Sequence, residues 1–98
     1  MTTPFFYTYV LIDPRTYSPF YVGKGKHERI YQHERYSHND YLLRKINKIK
    51  SLGYKIIYEK WFESEDEWFC FWMENYLIDY FGIDNLCNFT LNTHQVNL

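Results

Sequence analysis

The chain has 98 residues, a formal net charge of −1 and an aromatic share of 22%. That length suits one domain with one modest core, spanning residues 1–98, which a few large side chains can fill. Bulk charge alone gives no sign of a nucleic-acid partner, and no apolar run reaches the roughly 18 residues of a membrane span.

The charge is unevenly spread. Up to Lys60 the chain carries all 11 Lys and Arg against five acids, a net +6. Residues 61–98 carry seven acids and no Lys or Arg, a net −7. Such asymmetry gives a near-neutral protein a positive face, unless the halves fold together and their charges pair. Cys70 and Cys87 lack metal-type spacing and read as reduced core thiols. The first residues lack the charged and apolar regions of a signal peptide. A soluble, intracellular domain, in cytoplasm or nucleoid and without a membrane role, is the expectation.

Residues 5–12 read as a strand, with Tyr7, Tyr9 and Leu11 on one side and Phe6, Thr8, Val10 and Ile12 on the other. Two prolines and an Asp mark residues 13–19 as a turn. Phe20, Tyr21 and Val22 return as the antiparallel partner and lead into the loop Gly23-Lys24-Gly25-Lys26. A short helix over 27–36 would put Arg29 and His33 on one face at four-residue spacing. A second helix, 39–52, carries Leu42, Leu43, Ile46 and Ile49 as an apolar stripe. Gly53 stands where a left-handed cap is wanted, and Arg44, Lys45, Lys48 and Lys50 suit the negative end of that helix.

Residues 54–62, rich in Ile, Tyr and Trp, form a third strand. Ser64-Glu65-Asp66-Glu67 reads as a capping box, with the Ser64 hydroxyl accepting from the residue 67 N–H. The helix it opens runs to about Phe81 and stops at Gly82. The tail, 83–98, has no usable period. The order β-β-α-α-β-α predicts an α+β domain, a small three-stranded antiparallel sheet with flanking helices.

Three groups of residues carry candidate chemistry. Glu74 has Cys70, Phe71, Leu77, Ile78 and Phe81 as its helical neighbours, and a carboxylate in an apolar stripe is costly unless compensated. It is either half of a structural ion pair or a metal ligand or acid–base group at the core's edge. The glycine-lysine loop, which lacks Walker A spacing, offers backbone approach and positive charge to a phosphodiester. Tyr9 and Tyr21 come close if the hairpin forms, yet a phenol with a pKa of ~10 is a poor base until its phenolate is stabilised.

Together, Tyr7-Thr8-Tyr9, Tyr21-Val22-Gly23, Arg29 with His33, Glu74 and Asn88 resemble the GIY-YIG nuclease family over residues 5–90. The loop is similar to that of the LEM-domain-associated and phage-encoded branch. Tyr7-Thr8 stands where the first motif has Gly-Ile, and its tyrosine is kept. The resemblance implies a metal-dependent endonuclease cutting DNA by a single-metal mechanism, with RNA an open alternative. It implies Tyr9 as general base, Tyr21 positioning water or phosphate, and Gly23 admitting the substrate to the backbone. Arg29 would hold the scissile phosphate and His33 would relay a proton or orient Tyr9. Glu74 would bind Mg²⁺ or Mn²⁺, and Asn88 would steady the site. His38 is a candidate second histidine. Gly23, Lys24, Gly25, Lys26, Arg44, Lys45 and Lys48 are the expected nucleic-acid contacts.

The alternative is a non-catalytic nucleic-acid-binding or protein-interaction module on the same fold. Trp68 and Trp72, roughly opposite Glu74 on the helix, suit burial under the tail, a homodimer or a protein partner.

Overall fold

A computed structural model of the chain describes residues 5–32 and 39–88. Strands β1 (Phe6–Asp13), β2 (Ser18–Lys26) and β3 (Ile57–Ser64) form one sheet in the order β2-β1-β3. Both pairings are antiparallel, so β1 is central. Helix α1 (Asp40–Ser51) precedes β3, and α2 (Glu67–Phe81) follows it. Short 3₁₀ turns occupy Arg29–Tyr31 and Ile83–Asn85.

The alternation predicted for β1 divides the core in two. Tyr7, Tyr9 and Leu11 pack with Phe20, Ile30 and the α1 stripe Leu42, Ile46 and Ile49. Val10 and Ile12 pack on the other face with Val22 and with Leu77 and Ile78 of α2. Each such side chain, withdrawn from water, contributes about 1.5–3 kcal/mol. A helix thus packs on either face of the sheet, and β2 and β3 are its outer strands.

Local chemistry sets most boundaries. Asn39 caps α1 by accepting from the Leu42 N–H at 3.0 Å. Gly53 takes φ +89°, and its N–H bonds the Lys50 carbonyl, as the left-handed termination requires. Gly82, at φ +88°, ends α2.

Three boundaries differ from expectation. Over residues 27–32 there is a 3₁₀ turn, Arg29–Tyr31, where the start of a helix is expected; the rest of that expected helix, from 33 onward, lies outside the described residues. The third strand starts at Ile57 because the Tyr54 N–H is bonded to the Ile49 carbonyl in the helix exit. The capping box does not form. Ser64 is the last residue of β3, so α2 begins later, with Asp66 as its cap accepting from the Trp68 N–H at 2.9 Å. Glu67 is thereby released to pair with Lys24.

One ion-pair cluster ties the hairpin turn to α1. Asp13, only 3% exposed, accepts from the Arg15 backbone and guanidinium and lies 3.1 Å from Lys45 Nζ. Those bonds hold its carboxyl well below the usual range despite burial. Lys45, expected on nucleic acid, is engaged in this structural pair because a buried carboxylate needs counter-charge.

Candidate active site

The glycines of the Gly23-Lys24-Gly25-Lys26 loop lie within β2 and face β1, directly opposite two tyrosines. Tyr9 pairs with Gly23, and Tyr7 with Gly25. A Cβ on Gly23 would fall on the Cζ and hydroxyl of Tyr9, so that ring lies flat across the glycine. A Cβ on Gly25 would come 2.6 Å from Cγ of Arg29 and 3.4 Å from the Tyr7 ring. Each glycine makes room for a side chain of this same chain.

Tyr7 has a role that sequence reasoning missed. Its hydroxyl donates to the His27 carbonyl at 2.6 Å and accepts from the Ile30 N–H at 3.1 Å. It therefore fixes the turn that carries Arg29. The available signal was its place two residues from Tyr9, on the same face of β1. Thr8 was missed as well. Buried on the opposite face, it donates from Oγ1 to the Cys70 carbonyl at 2.6 Å, anchoring α2 one turn before Glu74.

Asn88 clamps the outer edge of β2. Its Oδ1 accepts from the Val22 N–H at 3.1 Å, and its Nδ2 donates to the Val22 carbonyl at 2.8 Å. The adjoining Cys87 N–H donates to the Phe20 carbonyl. Two successive residues thus satisfy three backbone groups of an outer edge, immediately beside Tyr21.

The electrostatics group Tyr9, Tyr21, Arg29 and Glu74 together. Burial first, then Tyr21 and Glu74, raise the Tyr9 phenol, while the Arg29 charge pulls it down without prevailing. Burial and Glu74 push Tyr21 up to about 12, again against Arg29. Both are therefore neutral phenols in this arrangement. A tyrosinate base is opposed by desolvation and by the carboxylate beside it.

Glu74 is half-buried, and burial pushes its carboxyl up to about 7, with the Lys24 charge working the other way. Among the described residues it makes no hydrogen bond and no ion pair. The structural-pair alternative for Glu74 is thus not realised there. A desolvated, unpaired carboxylate is a poor structural element and a good ligand for a hard cation. No group of three or more His, Cys, Asp or Glu among the described residues could hold a metal. A single carboxylate would hold the expected Mg²⁺ or Mn²⁺ only with water supplying most of the other ligands.

Of the remaining expected contacts, Lys24 lies 2.6 Å from Glu67, an ion pair joining the basic and acidic halves of the chain. Arg44 and Lys48 are exposed on α1, the former with its guanidinium 5.5 Å from the Tyr41 ring centroid. Trp68 and Trp72 are exposed on α2. His33, His38 and the tail from 89 onward lie outside the described residues.

No curated protein and no solved structure matches the chain. The family model described as the LEM-3-like GIY-YIG domain matches residues 6–95, nearly the whole sequence. It covers both tyrosines, Arg29, Glu74 and Asn88, which the fold gathers about the β2 edge. On that match the chain belongs to the GIY-YIG nuclease family.

Proposed function

We propose that the domain is a metal-dependent endonuclease that hydrolyses DNA phosphodiester bonds at the β2 edge. The observation that carries this reading is Glu74, a desolvated carboxylate with no protein partner among the described residues, beside two buried phenols and an arginine. A stable binding module would gain by replacing such an acid with an apolar or amide side chain. Its presence there fits a catalytic role.

Glu74 would hold one divalent ion, which when bound supplies Lewis-acid stabilisation of the leaving 3′ oxygen. Arg29, fixed by Tyr7 and Gly25, would hold the scissile phosphate and offset the charge that develops on it. Tyr9 and Tyr21, as neutral phenols, would donate to and orient the phosphate or the attacking water. With Glu74 neutralised, its charge would no longer raise either phenol, leaving burial alone for Arg29 to offset at Tyr21 and burial with the neighbouring phenols at Tyr9. Tyr21 is the less perturbed of the two and needs less help to serve as base. Asn88 positions Tyr21 through the Val22 backbone and touches no substrate.

The test is nicking of supercoiled plasmid by the purified chain with Mg²⁺ or Mn²⁺ and with chelator. Metal-dependent nicking lost in Glu74→Ala is the expected result. No nicking in either metal, or equal nicking by Glu74→Ala, would overturn the reading.

A further inference from the structure

Strand β2 has two differently used sides. Gly23 and Gly25 face the tyrosines and Arg29, so by strand alternation Lys24 and Lys26 project to the side of α2. Both ammonium groups stand 6.0 Å from the centroid of the Phe6 ring. Between them and the first turn of α2 runs a groove of about 370 Å³, lined among others by Phe6, Lys24, Lys26, Arg29 and Glu67. Arg29 places one end of this groove at the proposed catalytic site. Glu28 also lines it, but the anion in contact with a groove lysine is Glu67, whose Oε2 lies 2.6 Å from Lys24 Nζ. Lys26 adds its own attraction to the same carboxylate.

The pair is unevenly held. The Lys24 side chain is 23% exposed and that of Glu67 57% exposed, so the lysine is fixed in the groove while the carboxylate stands at its mouth. An anion so placed occupies the position of a ligand phosphate and is cheaply exchanged, because an exposed ion pair adds little stability. A phosphodiester presents the same charge and more acceptor oxygens to the two lysines.

We propose that this groove is a second phosphate subsite, in which a DNA phosphate flanking the scissile one displaces Glu67 from Lys24. The inference rests on the nuclease reading for the scissile phosphate at Arg29. It makes Glu67 an internal competitor of DNA, so that Lys24 is neutralised by Glu67 in the free protein and by the phosphate in the complex.

The experiment is fluorescence anisotropy of a labelled DNA duplex with the full chain in chelator, across a salt series. Glu67→Gln should tighten binding about three- to tenfold. Lys24→Gln should weaken it and lower the slope of log affinity against log salt by about one. Lys24→Arg, which keeps the charge, should restore much of the binding that Lys24→Gln loses. In the Lys24→Gln background, Glu67→Gln should tighten binding much less than it does in the wild type, since Glu67 acts mainly through Lys24 and only weakly through Lys26. Equal tightening by Glu67→Gln with and without Lys24 would mean general repulsion and overturn the subsite. So would unchanged affinity in the single variants of a protein that cuts plasmid. A wild type that neither binds nor cuts DNA would remove the nuclease reading itself, and the subsite with it.

Discussion

The Tyr9 ring lies across Gly23 of the neighbouring strand, in the space that any side chain at that position would fill. Gly23→Ala must therefore displace the phenol or part the two strands. The expected result is at least a tenfold loss of nicking rate, about 1.4 kcal/mol in the barrier, with about 1–3 kcal/mol lost in stability. Gly53→Ala is the control. Nothing lies within 4 Å of a Cβ there, but φ is +89°, so stability should fall while nicking by the folded protein persists. A Gly23→Ala protein that cuts at the wild-type rate would show that Tyr9 does not need its observed position.

Glu74→Gln separates catalysis from stability. In chelator at pH 8 the wild type holds an ionised, half-buried carboxylate whose neutral form is favoured by burial. Its folded pKa is raised, so this penalty is absent below the ordinary carboxylate range and complete above about 7. The amide variant should accordingly be more stable at pH 8 by about 1–3 kcal/mol and of nearly equal stability at pH 4. Urea denaturation at the two pH values measures both. Added Mg²⁺ should raise the thermal midpoint of the wild type only. A variant that is less stable than the wild type at pH 8 would contradict an uncompensated carboxylate.

Asn88 contributes through the backbone of β2. Asn88→Ala removes both bonds to Val22 and leaves its N–H and carbonyl without that partner. Amide hydrogen exchange at Val22 should accelerate, and stability should drop by about 1–3 kcal/mol. Asn88→Asp keeps an acceptor for the Val22 N–H but sets a carboxylate against its carbonyl, so it should not restore the edge. Unaltered exchange at Val22 in both variants would rule out the clamp.

Asp13 sets an acid limit on stability. Its folded pKa is depressed by Arg15 and Lys45, so its contribution is complete above the ordinary carboxylate range. It is lost progressively as pH falls below about 4 toward the lower folded value. Asp13→Asn should cost on the order of 2–3 kcal/mol at pH 6, with the gap to the wild type narrowing as pH falls to 2. A gap independent of pH over that range would show that the carboxylate's charge is not what stabilises the turn.

The elements were legible in the sequence because they follow from local chemistry. The alternation of residues 6–12, the stripe of Leu42, Ile46 and Ile49, the Asn39 start and the Gly53 and Gly82 stops all act within a few residues of the chain. The motif residues, from Tyr9 to Asn88, were legible too, as types at recognisable spacing. Their working environment was not. Only cross-strand register sets Tyr9 on Gly23 and Tyr7 on Gly25, and register is a relation between distant segments. Only packing removes Glu74 and the two phenols from water, and that desolvation raises all three. Lys24 and Glu67 stand 43 positions apart and meet because β3 runs on to Ser64, which delays the start of α2. Sequence determined which groups could do the chemistry. Tertiary structure decided which are neutral, which are paired, and that Glu74, among the described residues, is left without a partner.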